Sequence, residues 1–144
     1  MNIAVLDGQG GGLGKNVISS LRKELGDKIS IYALGTNNYA ATTMKKAGAD
    51  EKIYGIDALI SLLHTKSYDC IIGPIGIICP GGLKGEITSN LAETIFSLDC
   101  TKYLIPLKVH GIYIPGVKDY DIKDLIANIV NEIKINLTKE GAFS

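Results

Sequence analysis

The sequence predicts a three-layer α/β fold, a mostly parallel, doubly wound sheet with helices on both faces. Three observations carry this. Short apolar runs alternate with stretches of helical periodicity along the chain. The first of these runs is apolar on both faces, as a buried central parallel strand must be. A glycine-rich turn then joins that strand directly to a helix-like stretch.

Asn2 to Leu6 reads as the first strand. The first helix runs from about Lys15 to Leu25, with Val17, Ile18, Leu21 and Leu25 at helical spacing and Gly26 as its stop. A second strand, Ile29 to Leu34, ends at Gly35-Thr36-Asn37, and a second helix near Tyr39 to Ala47 closes at Gly48. Lys52 to Tyr54 is a short third strand, followed by a helix over Asp57 to Thr65. The fourth strand, Asp69 to Ile72, runs into Gly73-Pro74-Ile75-Gly76. Thr88 caps a helix reaching Leu98. The fifth strand, Lys102 to Leu107, contains Pro106, which suits a sheet edge or a strand end. Ile112 to Pro115 follows too closely for a parallel crossover, so an extra edge strand there would pair antiparallel. The last helix, Asp121 to Leu137, carries a stripe of Ile122, Leu125, Ile126, Ile129, Val130 and Ile133. The expected strand order is 3-2-1-4-5, with 2-1-3-4-5 as the alternative. Residues 1–144 then form one Rossmann-like, nucleotide-binding domain.

Composition narrows the function. Fifteen basic and fifteen acidic residues cancel, giving no charge argument for nucleic acid or a membrane surface. No apolar run approaches the roughly 18 to 20 residues of a membrane span. The first strand begins with no signal-like segment ahead of it, and Cys70, Cys79 and Cys100 fit neither a disulfide framework nor a metal-binding motif. A cytoplasmic, reduced protein without a metal centre is expected.

The turn Asp7-Gly8-Gln9-Gly10-Gly11-Gly12-Leu13-Gly14-Lys15 is the expected binding site. Glycines are costly to order and are kept where backbone takes positive φ or something approaches the main chain closely. Between a strand and a helix N-terminus, such a turn aims N–H groups and the positive end of the helix dipole at one place, which suits a phosphate. Gly8, Gly12 and Gly14 give G-x-x-x-G-x-G, which resembles the turn of short-chain dehydrogenases, Thr-Gly-x-x-x-Gly-Ile/Leu-Gly, with Asp7 in place of the threonine. That resemblance implies a seat for a cofactor pyrophosphate. An anion there would face the Asp7 carboxylate unless Asp7 turns away and ties the loop. A P-loop fits worse, since Gln9 stands where its first glycine would be and Asn16 where its Ser or Thr would be. Replacing Gly12 or Gly14 with Val is expected to abolish binding and leave the fold largely intact.

The end of the second strand has Thr36 and Asn37 where NAD enzymes place an acid. These two residues either contact a ribose or cap the following helix. In the 3-2-1-4-5 order, Gly73, Pro74, Ile75 and Gly76 face the glycine turn across the crevice. The loop continues through Cys79, Pro80, Gly81, Gly82 and Gly85 to Glu86. Catalytic equipment is thin. No Tyr-x-x-x-Lys pair is suitably placed, His64 falls late on a helix, and His110 lies in a turn. Cys79 and Glu86 are the two candidate reactive groups. Glu86 acts as a general base or ribose ligand, or else only favours the N-terminus of the Thr88 helix.

Taken together, Met1 to Lys15, Ala33 to Asn37, Ile71 to Ile77, Gly85 to Thr88 and Gly116 to Tyr120 resemble a family of small bacterial proteins known as a domain of unknown function. The resemblance spans most of the chain and implies no activity. The residues point to a small phosphate-bearing ligand, NAD(P) or another nucleotide. The alternative is a non-catalytic ligand-sensing or partner-binding subunit that uses the same crevice. It would form a dimer, homodimeric or mixed, through the apolar edge from Tyr103 to Ile114.

Overall fold

A computed structural model describes residues 1–107, 111–117 and 121–140. Five strands form one all-parallel sheet ordered β3-β2-β1-β4-β5. They are β1 (Asn2–Asp7), β2 (Ser30–Gly35), β3 (Glu51–Tyr54), β4 (Cys70–Pro74) and β5 (Thr101–Ile105). The helices are α1 (Gly12–Leu25), α2 (Asn38–Lys46), α3 (Ile56–Thr65), α4 (Ser89–Phe96) and α5 (Ile122–Lys139). The expected order is therefore the observed one, and 2-1-3-4-5 is excluded.

The alternation of side chains along β1 explains the layers. Ile3 and Val5 point to one face, where Val17, Ile18, Leu21 and Leu25 of α1, Met44 of α2, and Ile126, Val130 and Ile133 of α5 close over them. Ala4 and Leu6 point to the other, under Leu59 and Leu63 of α3 and Leu91, Ala92 and Ile95 of α4. Each fully buried Ile or Leu contributes about 1.5–3 kcal/mol relative to exposure. β1 and β4 are the strands buried on both faces, and β1 ends in the glycine turn, so the turn stands on a constrained part of the molecule.

Side-chain caps set several helix starts. Asn37 accepts from Ala40 N–H at 2.8 Å, Thr88 from Leu91 N–H at 3.2 Å, and Asp121 from Asp124 N–H at 2.9 Å. Arg22 fastens the first half of the sheet. Its guanidinium donates to the carbonyls of Gly26, Ile29 and Gly48 and pairs with Asp50 at 2.6 Å.

Three expectations change. Gly73 and Pro74 belong to β4 itself, because a β-carbon at Gly73 would press on the Leu6 carbonyl of β1 and Pro74 pairs with Ile105 at the strand's end. The extra edge strand at Ile112 to Pro115 is not formed among the described residues. Gly111 and Gly116 flank that run at φ 66° and 90°, and Pro115 has no N–H to donate, so an extended ladder is interrupted at both ends. α1 begins at Gly12, earlier than expected, because Gly11 at φ 73° forms its N-cap. His110 lies outside the described residues.

Candidate functional site

The site begins with the five glycines of the turn, which do different jobs. A β-carbon on Gly8 would meet Thr36 Oγ1 at 2.6 Å, Glu86 Oε2 at 2.8 Å and Leu83 Cδ1 at 3.0 Å. On Gly11 it would meet the Ala40 carbonyl of α2 at 2.8 Å, and on Gly14 it would collide with buried Met44. Those three glycines are required by the protein's own packing. Gly10 and Gly12 are not. A β-carbon on Gly10 would have only Tyr39 near it, at 3.7 Å, and one on Gly12 would stand in open space.

The turn borders a cavity of about 430 Å³ at the carboxyl ends of β1 and β4, where the strand order reverses. Gly8 to Leu13 line one side, and Pro74, Gly76, Leu83, Lys84 and Leu107 the other, with Asp7 at the base. The volume lies in the lower part of the usual range for small-molecule sites. The walls are mainly apolar, and Lys84 supplies the one cationic side chain among the lining residues. Leu83 and Lys84 hold φ 53° and 55°, a conformation unusual for non-glycine residues and concentrated at functional sites.

Asp7 does tie the loop. Asp7 is only 6 % exposed, and its carboxylate accepts Gly8 N–H and Gly14 N–H at 2.8 Å each. Burial pushes its carboxyl above the ordinary value. The Gly14 and Gly8 N–H groups oppose that rise, and the nearby Glu86 charge adds to it. Asp7 thus takes over part of the N-terminal donor set of α1. Among the described residues the N–H groups of Gly10 and Gly12 donate to no protein group, and both line the cavity.

Glu86 crosses from the loop after β4 to the opposite side of the turn. Its two oxygens accept Gln9 N–H at 2.9 and 3.0 Å, one accepts the Thr36 hydroxyl at 2.5 Å, and Asn37 Nδ2 lies 3.3 and 3.5 Å away. Asn37 Nδ2 also donates to the Gln9 carbonyl at 3.0 Å. Partial burial works to raise the Glu86 carboxyl, but the Gln9 N–H and the Thr36 and Asn37 side chains outweigh it and hold it below the ordinary value.

Of the expected site residues, Gly8, Gln9, Gly10, Gly11, Gly12, Leu13, Pro74 and Gly76 come together round the cavity. Thr36, Asn37 and Glu86 form a second cluster behind the turn. Asn37 does cap α2, while its amide nitrogen faces Glu86. Gly14 is packed under Met44, Gly73 is inside β4, and Lys15 and Ile75 are not among the cavity-lining residues. Half-buried Cys79 directs its thiol to the Ile75 carbonyl at 3.6 Å and is also absent from the lining. Burial lifts the Cys70 thiol to about 12. Sequence reasoning missed Leu83, Lys84 and Leu107. A leucine and a lysine between two glycine steps were the available signal for the first two.

Among the described residues no group of three metal-ligating side chains occurs, and no helix is long and apolar enough to cross a membrane. A family model described as "Domain of unknown function (DUF3842)" matches residues 2–138. The structure is similar to that of a dodecameric FMN-dependent Ubix-like decarboxylase from Escherichia coli O157:H7. That chain is 17% identical, with a TM-score of 0.51 and coverage of 98% of this chain and 95% of the other. A universal stress protein from Archaeoglobus fulgidus is 15% identical, with a TM-score of 0.42, covering 75% and 98% respectively. At 17% identity the first likeness shows a shared α/β fold. No curated protein matches the sequence.

Proposed function

The chain belongs to that family of unknown function, and from its own geometry we propose that it binds a nucleotide in the crevice between the glycine turn and the loop after β4. The observation that carries this is the pair Gly10 and Gly12. Packing does not demand either glycine, and both line a cavity at the topological switch point while their N–H groups donate to no described protein group. A phosphate there meets the N-terminus of α1 and lies on the side of the cavity opposite Lys84. The apolar part of the ligand rests against Leu83, Leu107 and Pro74. A mononucleotide suits the cavity better than a dinucleotide such as NAD(P). The Glu86 carboxylate already fills the position beside Thr36 and Asn37 where a second ribose would extend. This reading is of a cytoplasmic protein, which three free thiols support.

Native mass spectrometry of freshly purified protein, followed by a thermal-shift panel of NAD, NADP, FMN, ATP and S-adenosylmethionine, tests it. A ligand at 100 times its dissociation constant adds about 2.7 kcal/mol of stability. Gly12→Val fills the open space, so it should remove the shift and keep the fold. The same shift in wild type and variant would remove the turn from the site. Gly14→Val, by contrast, strikes Met44 and reports on folding, which corrects the expectation that the two substitutions are equivalent.

A second reading is a partner-binding subunit, supported by the exposure of Ile112 and Tyr113. It predicts a dimer or hetero-complex. Light scattering that shows a strict monomer at tens of micromolar would exclude the homodimer.

A further inference from the structure

The loop 79–87 is bonded mainly to itself. Gly82 N–H donates to the Cys79 carbonyl, Gly85 N–H to Gly81 and Glu86 N–H to Leu83, while across its neck Gly81 N–H donates to the Ile87 carbonyl and Ile87 N–H to the Gly82 carbonyl. Ile87 is fully buried and anchors one end, while Pro80, Gly81, Lys84 and Gly85 are exposed. Among the described residues, every hydrogen bond from residues 80–86 to the glycine turn and the end of β2 passes through the Glu86 carboxylate. Three groups converge on that carboxylate: a backbone N–H, a hydroxyl and an amide. They come from elements 49 to 77 positions away, and none is charged. Gln9 holds φ 52° while its N–H points at Glu86 and its carbonyl receives Asn37. The same loop supplies Leu83 and Lys84 to the cavity wall.

We propose that Gln9 N–H, Thr36 Oγ1–H and Asn37 Nδ2–H form a second anion seat beside the cavity. In the closed form Glu86 is its tethered occupant, and a ligand carboxylate or phosphate oxygen replaces it when the loop lifts. The proposal rests on the nucleotide-site reading only in treating the loop as that site's wall. The seat itself is defined by its present occupant. A carboxylate that accepts from three neutral donors is an anion already bound, and a free anion of the same geometry can take its place once the tether is cut. Removing Glu86 therefore opens the loop and creates affinity for small carboxylates that wild type lacks.

The test is chemical rescue of Glu86→Ala, read by amide hydrogen exchange at Gln9 and over residues 80–86 and by thermal shift, with sodium acetate titrated against sodium chloride at equal ionic strength. Without acetate, exchange at these amides should rise roughly tenfold or more over wild type, as the loss of bonds to a charged group implies. Acetate should reverse this saturably in the variant and leave wild type unchanged. Protection that is unaltered in Glu86→Ala, or lost but indifferent to acetate, overturns the proposal. If Glu86→Ala does not fold, Glu86→Gln keeps one acceptor and places an NH₂ against the three donors. It should show the same exposed amides, and wild-type protection in that variant is equally fatal. No nucleotide enters these measurements. Acetate rescue without nucleotide binding upholds the seat and removes the nucleotide reading, and nucleotide binding without rescue does the reverse.

Discussion

Gly14→Ala isolates one packing claim from the rest of the site. A β-carbon at Gly14 would fall well within van der Waals contact distance of Met44 Sδ, 2.9 Å from Met44 Cγ and 3.1 Å from Asp7 Cβ. Met44 is fully buried and Asp7 is fixed by two hydrogen bonds, so neither yields freely. Overpacking of this kind costs about 1–3 kcal/mol. Against it stands the helix-propensity gain of alanine over glycine, about 0.5–1 kcal/mol. The net expectation is a loss of about 1–2 kcal/mol. Gly12→Ala, with nothing near its new methyl group, should gain up to about 1 kcal/mol. Urea denaturation of the pair should therefore separate them by about 2 kcal/mol. In thermal melts, ~2–4 °C per kcal/mol applies to a chain of this size. In a Met44→Ala background the Gly14→Ala penalty should shrink, with a coupling of about 1 kcal/mol. Equal stability of Gly12→Ala and Gly14→Ala, or no coupling to Met44, would refute the assignment of Gly14 to packing.

Three further outcomes follow from the same geometry. The Tyr68 hydroxyl is buried with no hydrogen-bond partner among the described residues, so Tyr68→Phe should raise stability by about 1 kcal/mol; a loss in thermal denaturation would show a missing partner. Burial also pushes the Tyr68 phenol up to about 12, so ultraviolet titration should show one tyrosine ionising near that value, and Tyr68→Phe should remove it. Arg22→Lys cannot reproduce the fork that serves Gly26, Ile29, Gly48 and Asp50, and chemical denaturation should show a loss of about 2 kcal/mol. The carboxyls of Glu86 and Asp50 are held below their ordinary 4.5 and 3.8, so their stabilisation is complete above those values and is lost as pH falls below them through the lowered folded-state values. Asp7 is shifted upward and acts in the opposite sense, its contribution fading as pH rises. Stability measured against pH should therefore have a shallower acid limb in Glu86→Gln and a steeper one in Asp7→Asn.

The strand order was legible because it depends on local signals: a doubly apolar first strand, a glycine turn, and helices long enough for parallel crossovers. The crevice between Gly8–Leu13 and Pro74–Gly76 followed from that order. What a linear reading could not separate was the purpose of individual glycines. Gly11 and Gly14 are explained only by Ala40 and Met44, which lie on another helix. Glu86 was recognisable as a carboxylate near a helix start, yet its partner Gln9 is 77 positions away and is contacted through the main chain, which leaves no mark on residue identity. Leu83 and Lys84 adopt positive φ without being glycine or asparagine, so their strain had no compositional signature. The extra strand fails for the complementary reason: Gly111, Pro115 and Gly116 interrupt an otherwise apolar run at its ends.

Arg22 binds only groups between Gly26 and Asp50, all within the β1-to-β3 half of the sheet. That half is also joined along the whole of β1 and β2, whereas β1 meets β4 only from Ile3 to Val5. The β1–β4 ladder is thus the shorter of the two that flank β1, and the crevice lies at its open end. Local opening of the sheet should begin at that end, before the shared core gives way. Anything seated between Gly12 and Lys84 bridges β1's turn and the loop after β4, so its binding energy would appear as resistance to that opening.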